Sequence, residues 1–194
     1  MEKIKTVKGT HDLFDEDSKT HDLVIKVAEL ICCSFNYQKM MTPIIEKSDV
    51  FQKTLGESSD VVSKEMYTFL DIGGESITLR PEGTAPVTRA IISNSLHERI
   101  NQRFYYFGPM FRRERPQSGR LRQFHQFGIE VFNDNSFYAD AETLLLATKI
   151  IKNLGLEKNL RLEINSLGNK KSRDDYKKCL TDYFSKYKND LSKE

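Results

Sequence analysis

The fold is decided by residues 103–132, which have the sequence RFYYFGPMFRRERPQSGRLRQFHQFGIEVF. Two aromatic-rich segments, 103–114 and 122–132, flank residues 116–119 (PQSG), whose composition is typical of a loop. Aromatic residues favour strands, so this stretch predicts a long antiparallel hairpin. Side chains of the second strand alternate between two faces. One face is mostly apolar and suited to a core, and it carries Gln123, His125, Phe127, Ile129 and Val131. We interpret His125 on this face as a core histidine with satisfied hydrogen bonds.

The opposite face of the second strand carries two polar side chains. Gln126 and Glu130 point the same way, about 13 Å apart along a strand, and Gly128 stands between them. Phe124 and Phe132 flank the pair, and a glycine weakens a strand unless another group approaches closely. The pattern predicts a pocket in which a small polar ligand lies over Gly128 and is held at both ends. The alternative is a solvated face on which both polar residues are ordinary surface residues.

The basic residues are unevenly distributed along the chain. There are 19 lysines and 11 arginines, yet no lysine lies between Lys64 and Lys149, and nine arginines lie between Arg80 and Arg122. Arginine has a planar fork that binds a carboxylate or phosphate through two donors at once. The bias therefore predicts an anion site. The alternative is a structural ion-pair network with Glu98 and Glu114 as partners.

Charged residues at the end of the first hairpin strand and beside the loop extend the predicted pocket. If that strand is regular, Arg112 and Glu114 share a face and Arg113 points away. Arg112 then directs its fork into the groove of the polar face, and Arg120, beside the loop, reaches the outer end of a phosphate chain. Upstream, Glu82 and Thr84 lie at the mouth of a helix, where a carboxylate and a hydroxyl suit an ammonium group.

The remaining elements mix helices with antiparallel pairs, which indicates an α+β fold. The predicted elements are a helix capped by Asp17 or Ser18 and ending near Phe35, an extended segment at 37–46, a hairpin at 66–80, a helix capped by Thr84, a helix capped by Asp140 and stopped by Gly155, a strand at 160–164, and a last helix from near Ser172 to Leu191. The last helix is amphipathic, and no later segment is present on which its apolar face can pack.

Composition excludes several classes of protein. With 194 residues and a net charge of +2, the chain does not bind polyanions through bulk charge alone. No apolar run is long enough to span a membrane, and the N-terminus does not have the pattern of a secretory signal. Cys32, Cys33 and Cys179 fit neither a zinc site nor a disulfide framework, so we expect buried, reduced thiols in a cytoplasmic protein. The histidines form no metal constellation, and no Walker loop, dinucleotide fingerprint or nucleophile elbow is present.

Five stretches resemble one known family. The sequences at 107–116 (FGPMFRRERP) and 119–130 (GRLRQFHQFGIE) resemble motif 2 of class II aminoacyl-tRNA synthetases in the form found in histidyl-tRNA synthetases. Residues 79–85 (LRPEGTA) are similar to that family's segment for the substrate amino group, and residues 8–12 (KGTHD) to its N-terminal signature. The stretch at 41–44 (MTPI) resembles motif 1, which builds the dimer interface in the family.

The resemblance implies a role for each matching residue. It implies that Arg112 is catalytic and binds the α-phosphate of ATP as the histidine carboxylate attacks, with Mg²⁺ accompanying the nucleotide. Glu114 would bind the adenine amino group and Arg120 the outer phosphates. The histidine site implied by the resemblance would hold the α-amino group at one end and the imidazole, through Glu130, at the other; it consists of Glu82, Gly83, Thr84, Gln126 and Glu130.

The resemblance also implies an extent and a set of partners. Residues 1–168 would be the N-terminal part of a class II catalytic domain with motifs 1 and 2, and 169–194 the start of an inserted helical region. Motif 3 and the anticodon-binding domain of the family are not among the 194 residues. The implied partners are L-histidine, ATP, tRNA(His) and a second copy in a homodimer. We expect half of an active site here, and no catalysis by this chain on its own.

Two other functions remain as alternatives. The first is the regulatory paralogue of ATP phosphoribosyltransferase, which shares the fold and charges no tRNA. That paralogue does not need the histidine and ATP residues together, whereas here they all occur as an active synthetase has them. The second is a non-catalytic fragment that acts as a dimerisation or binding module.

Overall fold

The computed structural model describes residues 3–56, 59, 61–115, 119–166 and 168–192. Helices and strands alternate irregularly along them, as an α+β fold requires. In chain order these elements are α1 (Asp15–Ser34), β1 (Gln38–Lys39), β2 (Ile45–Lys47), α2 (Ser48–Leu55), β3 (Tyr67–Leu70), β4 (Ser76–Leu79), α3 (Thr84–Ser93), β5 (Gln102–Phe111), β6 (Gln123–Phe132), α4 (Phe137–Asn153) and α5 (Lys170–Lys186).

The predicted long hairpin is confirmed. Strands β5 and β6 pair antiparallel over ten residues each, from Gln102 opposite Phe132 to Phe111 opposite Gln123. Residues 116–118 of its predicted loop lie outside the described residues. The short strand β1 pairs parallel with β5, so the strand order is β1-β5-β6.

Each face of this sheet is covered by helices, which explains why its strands are apolar on both sides. We call the face that packs on α3 the front face and the other the back face. The front cluster consists of Val87, Ile91, Phe104, Tyr106 and Met110, with Phe124 and Phe132 of β6 packed against it. The back cluster consists of Cys32, Tyr37, Tyr105 and Leu146, with Phe127, Ile129 and Val131 packed against it. The two faces predicted for β6 are thus those observed.

A second sheet precedes the candidate site in the chain. Its strand order is β2-β4-β3, and β3 and β4 form the predicted hairpin, with Leu70 opposite Ser76. Gly74 has φ of 82°, a left-handed conformation that glycine adopts at no steric cost. This sheet leads directly into the loop before α3.

Two of the predicted helix caps are wrong by a few residues. Helix α1 begins at Asp15 after an extended Phe14, so Asp17 lies inside its first turn, where a negative charge is favourable. Helix α4 begins at Phe137, and Ser136 is its cap: the Ser136 hydroxyl accepts from the Ala139 N–H at 3.4 Å. Asp140 therefore also lies in a first turn. When more than one acidic or hydroxyl residue lies near the start of a helix, the sequence does not show which of them is the cap.

The cysteines divide between the interior and the surface. Cys32 is fully buried in the back cluster, as expected. The expectation of buried thiols is wrong for Cys33 and Cys179, which are exposed. Cys33 follows Cys32 on α1 and is exposed, although its Sγ lies 4.0 Å from the Tyr105 hydroxyl of β5.

The chain divides after Glu157 into two compact units. In the unit that begins at Lys158, the strand predicted at 160–164 is wrong, because these residues are irregular and exposed. Alternation predicts a strand only where a partner strand supplies the hydrogen bonds. Helix α5 is confirmed, although it ends at Lys186 and a 3₁₀ turn (Lys188–Asp190) follows. Most of its large apolar residues stay exposed, namely Tyr176, Tyr183 and Phe184, and so does Tyr187 directly after it.

No helix among the described residues is both long and apolar enough to cross a membrane.

Candidate active site

The loop before α3 and the first residue of α3 each contact strand β6. The Gly83 N–H of the loop donates to Gln126 Oε1 at 3.1 Å, and the Thr84 hydroxyl of the helix donates to Glu130 Oε1 at 2.7 Å. Gln126 and Glu130 therefore share the front face, and each has a partner at the start of α3. The structure thus brings four of the predicted site residues together on one side of the sheet.

Glu82 caps the start of α3, a role that the sequence predicts for Thr84. The Glu82 carboxylate accepts from the Thr84 N–H at 2.6 Å and from the Ala85 N–H at 2.8 Å. Glu82 is 8% exposed. The prediction that Thr84 caps α3 is wrong, because the Thr84 hydroxyl is turned to Glu130 and Glu82 satisfies the free N–H groups. A carboxylate has about four lone-pair sites, so Glu82 retains acceptor capacity.

The space over Gly128 is occupied by a tyrosine that the sequence analysis did not assign to the site. Tyr106 lies opposite Gly128 in the hairpin register. A Cβ atom placed on Gly128, or on Gly83, would come closer than 3.0 Å to the Tyr106 ring. The expected ligand position over Gly128 is therefore wrong in this structure. The pairing of β5 with β6, once counted residue by residue, was the signal that could have found Tyr106.

Burial and hydrogen bonding act in opposite directions on Glu130. Burial raises the pKa of the Glu130 carboxyl, the nearby Glu82 raises it further, and hydrogen bonds from Thr84 and Tyr106 oppose the rise. Burial also raises the pKa of the Tyr106 hydroxyl to about 12. Tyr106 is consequently neutral near pH 7 and able to donate a hydrogen bond.

Arg112 continues the front face beyond the end of β5. Its Nε donates to the Pro81 carbonyl at 2.9 Å, and its guanidinium lies 5.1 Å from the centroid of the Phe124 ring. Arg113 is exposed, and its backbone N–H donates to the Glu65 carbonyl at 2.7 Å. The guanidinium of Arg112 therefore lies at the edge of the groove formed by the loop and β6.

Glu114 lies between two of the arginines. Arg120 Nη1 is 3.2 Å from Glu114 Oε2, whereas Arg112 Nη1 is 3.9 Å from Glu114 Oε1, which is too long for a hydrogen bond. The Glu114 carbonyl accepts from Arg122 Nε at 3.3 Å. The ion-pair alternative is thus present at Glu114, in the same place as the predicted anion site.

Other arginines of the lysine-free span are structural. Arg103 pairs with Glu142 at 2.7 Å and with Asp134 at 3.1 Å. Arg89 forms a bidentate pair with Glu46. The arginine bias therefore has two causes, and only its part near Arg112 and Arg120 bears on the candidate site.

His125 lies on the opposite face of β6 from Gln126 and Glu130. His125 is exposed, stacked on Phe107 with ring centroids 5.4 Å apart, and its ring lies 4.5 Å from that of His21. Burial and the neighbouring His21 lower its pKa. The interpretation of His125 as a satisfied core histidine is wrong, because the residue is exposed even though His21 of α1 lies beside it. Among the described residues, no three His, Cys, Asp or Glu side chains are placed to hold a metal ion.

Comparison with known proteins places this geometry in a class. A family model described as histidyl-tRNA synthetase matches residues 9–168. A histidine–tRNA ligase of Gluconobacter oxydans is 47% identical over 194 residues, which is 100% of this chain and 47% of that protein. A crystal structure of apo S. aureus histidyl-tRNA synthetase superposes with a TM-score of 0.75 at 37% identity, over 98% of this chain and 44% of that chain. The fold is that of a class II aminoacyl-tRNA synthetase.

The chain belongs to the histidyl-tRNA synthetase family. It spans about half the length of the curated relatives that it matches, 47% and 45% for the first two. A Bacillus halodurans structure described as an ATP phosphoribosyltransferase regulatory subunit/histidyl-tRNA synthetase is also similar. Its TM-score is 0.68 at 26% identity, over 78% of this chain and 38% of that one.

Proposed function

We propose that the whole protein is a histidine–tRNA ligase, which activates L-histidine with ATP to histidyl-adenylate and transfers it to tRNA(His). The observation that carries the proposal is the paired contact of Gly83 with Gln126 and of Thr84 with Glu130. It joins an ammonium-binding group to an imidazole-binding group on one buried face. Residues 1–168 would be the N-terminal part of the catalytic domain and 169–194 the start of the insertion.

The proposed histidine site has hydrogen-bond acceptors at both ends of the bound amino acid, some for the α-amino group and one for the imidazole. We assign the α-amino group to Glu82, Thr84 and Gln126, whose oxygens are clustered at the start of α3. Gly83 stands between Glu82 and Thr84 in the chain and must lack a side chain, because a Cβ atom there would come closer than 3.0 Å to the Tyr106 ring. Glu130 accepts a hydrogen bond from the imidazole. An apolar amino acid would leave Glu130 with the hydrogen bond from Thr84 but without a donor from the substrate, which is costly for a partly buried carboxylate.

The ATP site extends from Arg112 toward the loop. Arg112 would bind the α-phosphate and stabilise the charge that develops when the histidine carboxylate attacks phosphorus and pyrophosphate leaves. Glu114 would accept from the adenine amino group, and Arg120 would bind the outer phosphates. Because Arg120 pairs with Glu114 at 3.2 Å, nucleotide binding must exchange that ion pair for contacts with ATP. Mg²⁺ would be held mainly by the phosphates.

Further assignments concern assembly and location. A homodimer is supported by exposed apolar residues in the stretch that resembles motif 1, where Met41 is 82% and Ile44 is 43% exposed. A cytoplasmic location is supported by the three free cysteines. We infer that these 194 residues do not catalyse the reaction alone, since the motif 3 that supplies further ATP contacts in the family is not among them.

The regulatory paralogue remains the second candidate, favoured by the Bacillus halodurans similarity. Histidine-dependent exchange of labelled pyrophosphate into ATP separates the two functions. The complete product of the gene should catalyse exchange with L-histidine, and purified residues 1–194 should not. Absence of exchange by the complete product would exclude the ligase, whereas robust exchange by residues 1–194 would refute the claim that they are inactive alone.

A further inference from the structure

Arg80 joins two segments that are distant in the chain. It follows strand β4, and its N–H donates to the Ile44 carbonyl at 2.9 Å while its carbonyl accepts from the Phe111 N–H at 3.0 Å. Its side chain bridges the same two segments. Nε donates to the Pro109 carbonyl at 3.0 Å, and Nη1 donates to the Thr42 carbonyl at 3.0 Å and to the Thr42 hydroxyl at 3.1 Å. One residue therefore ties the segment before β2 to the end of β5 through both its main chain and its side chain.

The Arg80 guanidinium is buried against uncharged acceptors. Arg80 is 5% exposed, and burial lowers its pKa. The acceptors of its hydrogen bonds are two carbonyls and one hydroxyl. Gly108 of β5 leaves room for the group, because a Cβ atom there would come closer than 3.0 Å to Arg80 Nη2. Burying a cation on uncharged acceptors is costly, so the guanidinium is better explained by what it positions than by the stability it adds.

Arg112 is connected to Arg80 through two hydrogen bonds. Phe111, which precedes Arg112, donates its N–H to the Arg80 carbonyl at 3.0 Å. Pro81, which follows Arg80, accepts from Arg112 Nε at 2.9 Å. The two peptide-linked pairs are thus closed into a ring by these two contacts. Pro81 is fully buried and its φ is fixed by its own ring, so its carbonyl has little freedom once Arg80 is held in place.

We propose that Arg80 is a positioning residue: by holding the Arg80–Pro81 peptide against β5, it directs the Arg112 guanidinium so that its two terminal nitrogens face the groove. The Nε of Arg112 is used by Pro81, which leaves Nη1 and Nη2 as a fork for an anion. This role rests on the proposed binding of the α-phosphate by Arg112. Arg80 acts only through Arg112 and is assigned no contact with the substrate.

Arg80→Lys tests the role in the complete gene product, because lysine keeps the charge and loses the fork. Since small displacements of a positioned group lower rates steeply, the kcat of histidine-dependent pyrophosphate exchange should fall by about tenfold or more. In an Arg112→Lys background the same change should lower kcat by less than about twofold, because no fork is left to direct. Arg103→Lys is the matched control, since the Arg103 side chain is 18% exposed and pairs with Glu142 and Asp134. It should lower the thermal midpoint and leave kcat unchanged.

The comparison of the two backgrounds decides whether the effect passes through Arg112. Equal fold-losses from Arg80→Lys in both backgrounds would overturn the inference. If Arg80→Lys does not fold, Thr42→Val takes its place, because it removes one acceptor of the Arg80 fork and keeps the shape of the side chain. Thr42→Val should lower kcat about two- to fivefold when Arg112 is present and should have no effect in the Arg112→Lys background. An unchanged kcat in the first case would overturn the inference.

A second measurement does not depend on enzymatic activity. In the complete product labelled with ¹⁵N-arginine, the NMR signal of the Arg112 Nε–H is assigned by its loss in Arg112→Lys. Its hydrogen exchange with solvent should become about two- to tenfold faster in Arg80→Lys and stay the same in Arg103→Lys. An unchanged rate in Arg80→Lys would overturn the positioning of Arg112 by Arg80. If the rate rises as expected and the unaltered protein catalyses no pyrophosphate exchange, the positioning stands and only the ligase proposal fails.

Discussion

The Thr84 hydroxyl donates to Glu130 Oε1 at 2.7 Å, and this bond ties the first turn of α3 to strand β6. The contact spans 46 positions of sequence and joins a helix to a strand of the β1-β5-β6 sheet. The hydrogen bond is made to the partly buried Glu130 carboxylate, whose negative charge is costly to keep away from water. Such a contact is expected where the position of a charge matters more than the stability it contributes.

Removing the Glu130 carboxylate should damage histidine binding selectively. Glu130→Ala in the complete gene product loses a charge-assisted hydrogen bond to the imidazole, which is worth about 1.5–3 kcal/mol. The half-saturating histidine concentration in pyrophosphate exchange should rise accordingly, while that for ATP changes little. Glu75→Ala, which removes an exposed carboxylate paired with Lys47, is the control and should leave both unchanged. An unaltered histidine response would place Glu130 outside the pocket.

Neutralising the same carboxylate should stabilise the fold. The pKa of Glu130 is raised in the folded chain, mainly by burial. When the pKa of a carboxyl group is higher in the folded chain than in the unfolded chain, the free energy of unfolding falls as the pH rises through the folded-state pKa. The stability that the group contributes is fully present only below its unfolded-state pKa. Glu130→Gln should therefore raise the thermal midpoint at pH 7, and the advantage should shrink toward acid pH. If the unaltered chain and Glu130→Gln had equal thermal midpoints both at pH 7 and at acid pH, burial of the charged Glu130 carboxylate would not lower the stability of the fold.

Arg112 should require its fork and not merely its charge. Arg112→Lys keeps the charge and loses the bidentate geometry, so adenylation by the complete gene product should fall by about 10²-fold or more. Its thermal midpoint should change much less. Arg113→Lys is the control, because Arg113 is exposed beside the groove. Equal rate losses in the two variants would contradict the assignment, and a large fall in midpoint for Arg112→Lys would favour a structural role.

Gly128 should not tolerate even one methyl group. In Gly128→Ala the new Cβ atom would come closer than 3.0 Å to the Tyr106 ring, which has no free space to move into. Overpacking of this kind costs about 1–3 kcal/mol of unfolding free energy, measurable by urea denaturation. Gly73→Ala is the matched control: its Cβ would meet only the Asp71 carboxylate, at 3.3 Å. A Gly128→Ala chain as stable as Gly73→Ala would mean that the ring does not fill this space.

How far the sequence predicts each part depends on the range of the interactions involved. The β5–β6 hairpin and the two faces of β6 follow from alternation, which is a local property of a strand. Helix α5 follows from its period in the same way. The strand expected at 160–164 failed, because alternation cannot supply a partner strand.

The candidate site shows the same division. The sequence by itself determined that Gln126 and Glu130 share the front face, because the alternation of side chains along a strand follows from the order of residues. It also determined that the basic residues of this region are arginines and not lysines, because that depends on residue identity alone. Only the tertiary structure decided that Tyr106 fills the space over Gly128 and that Glu82 caps α3 in place of Thr84. Those outcomes depend on the register between strands and on competition among neighbouring donors and acceptors. Both are settled when distant segments pack together.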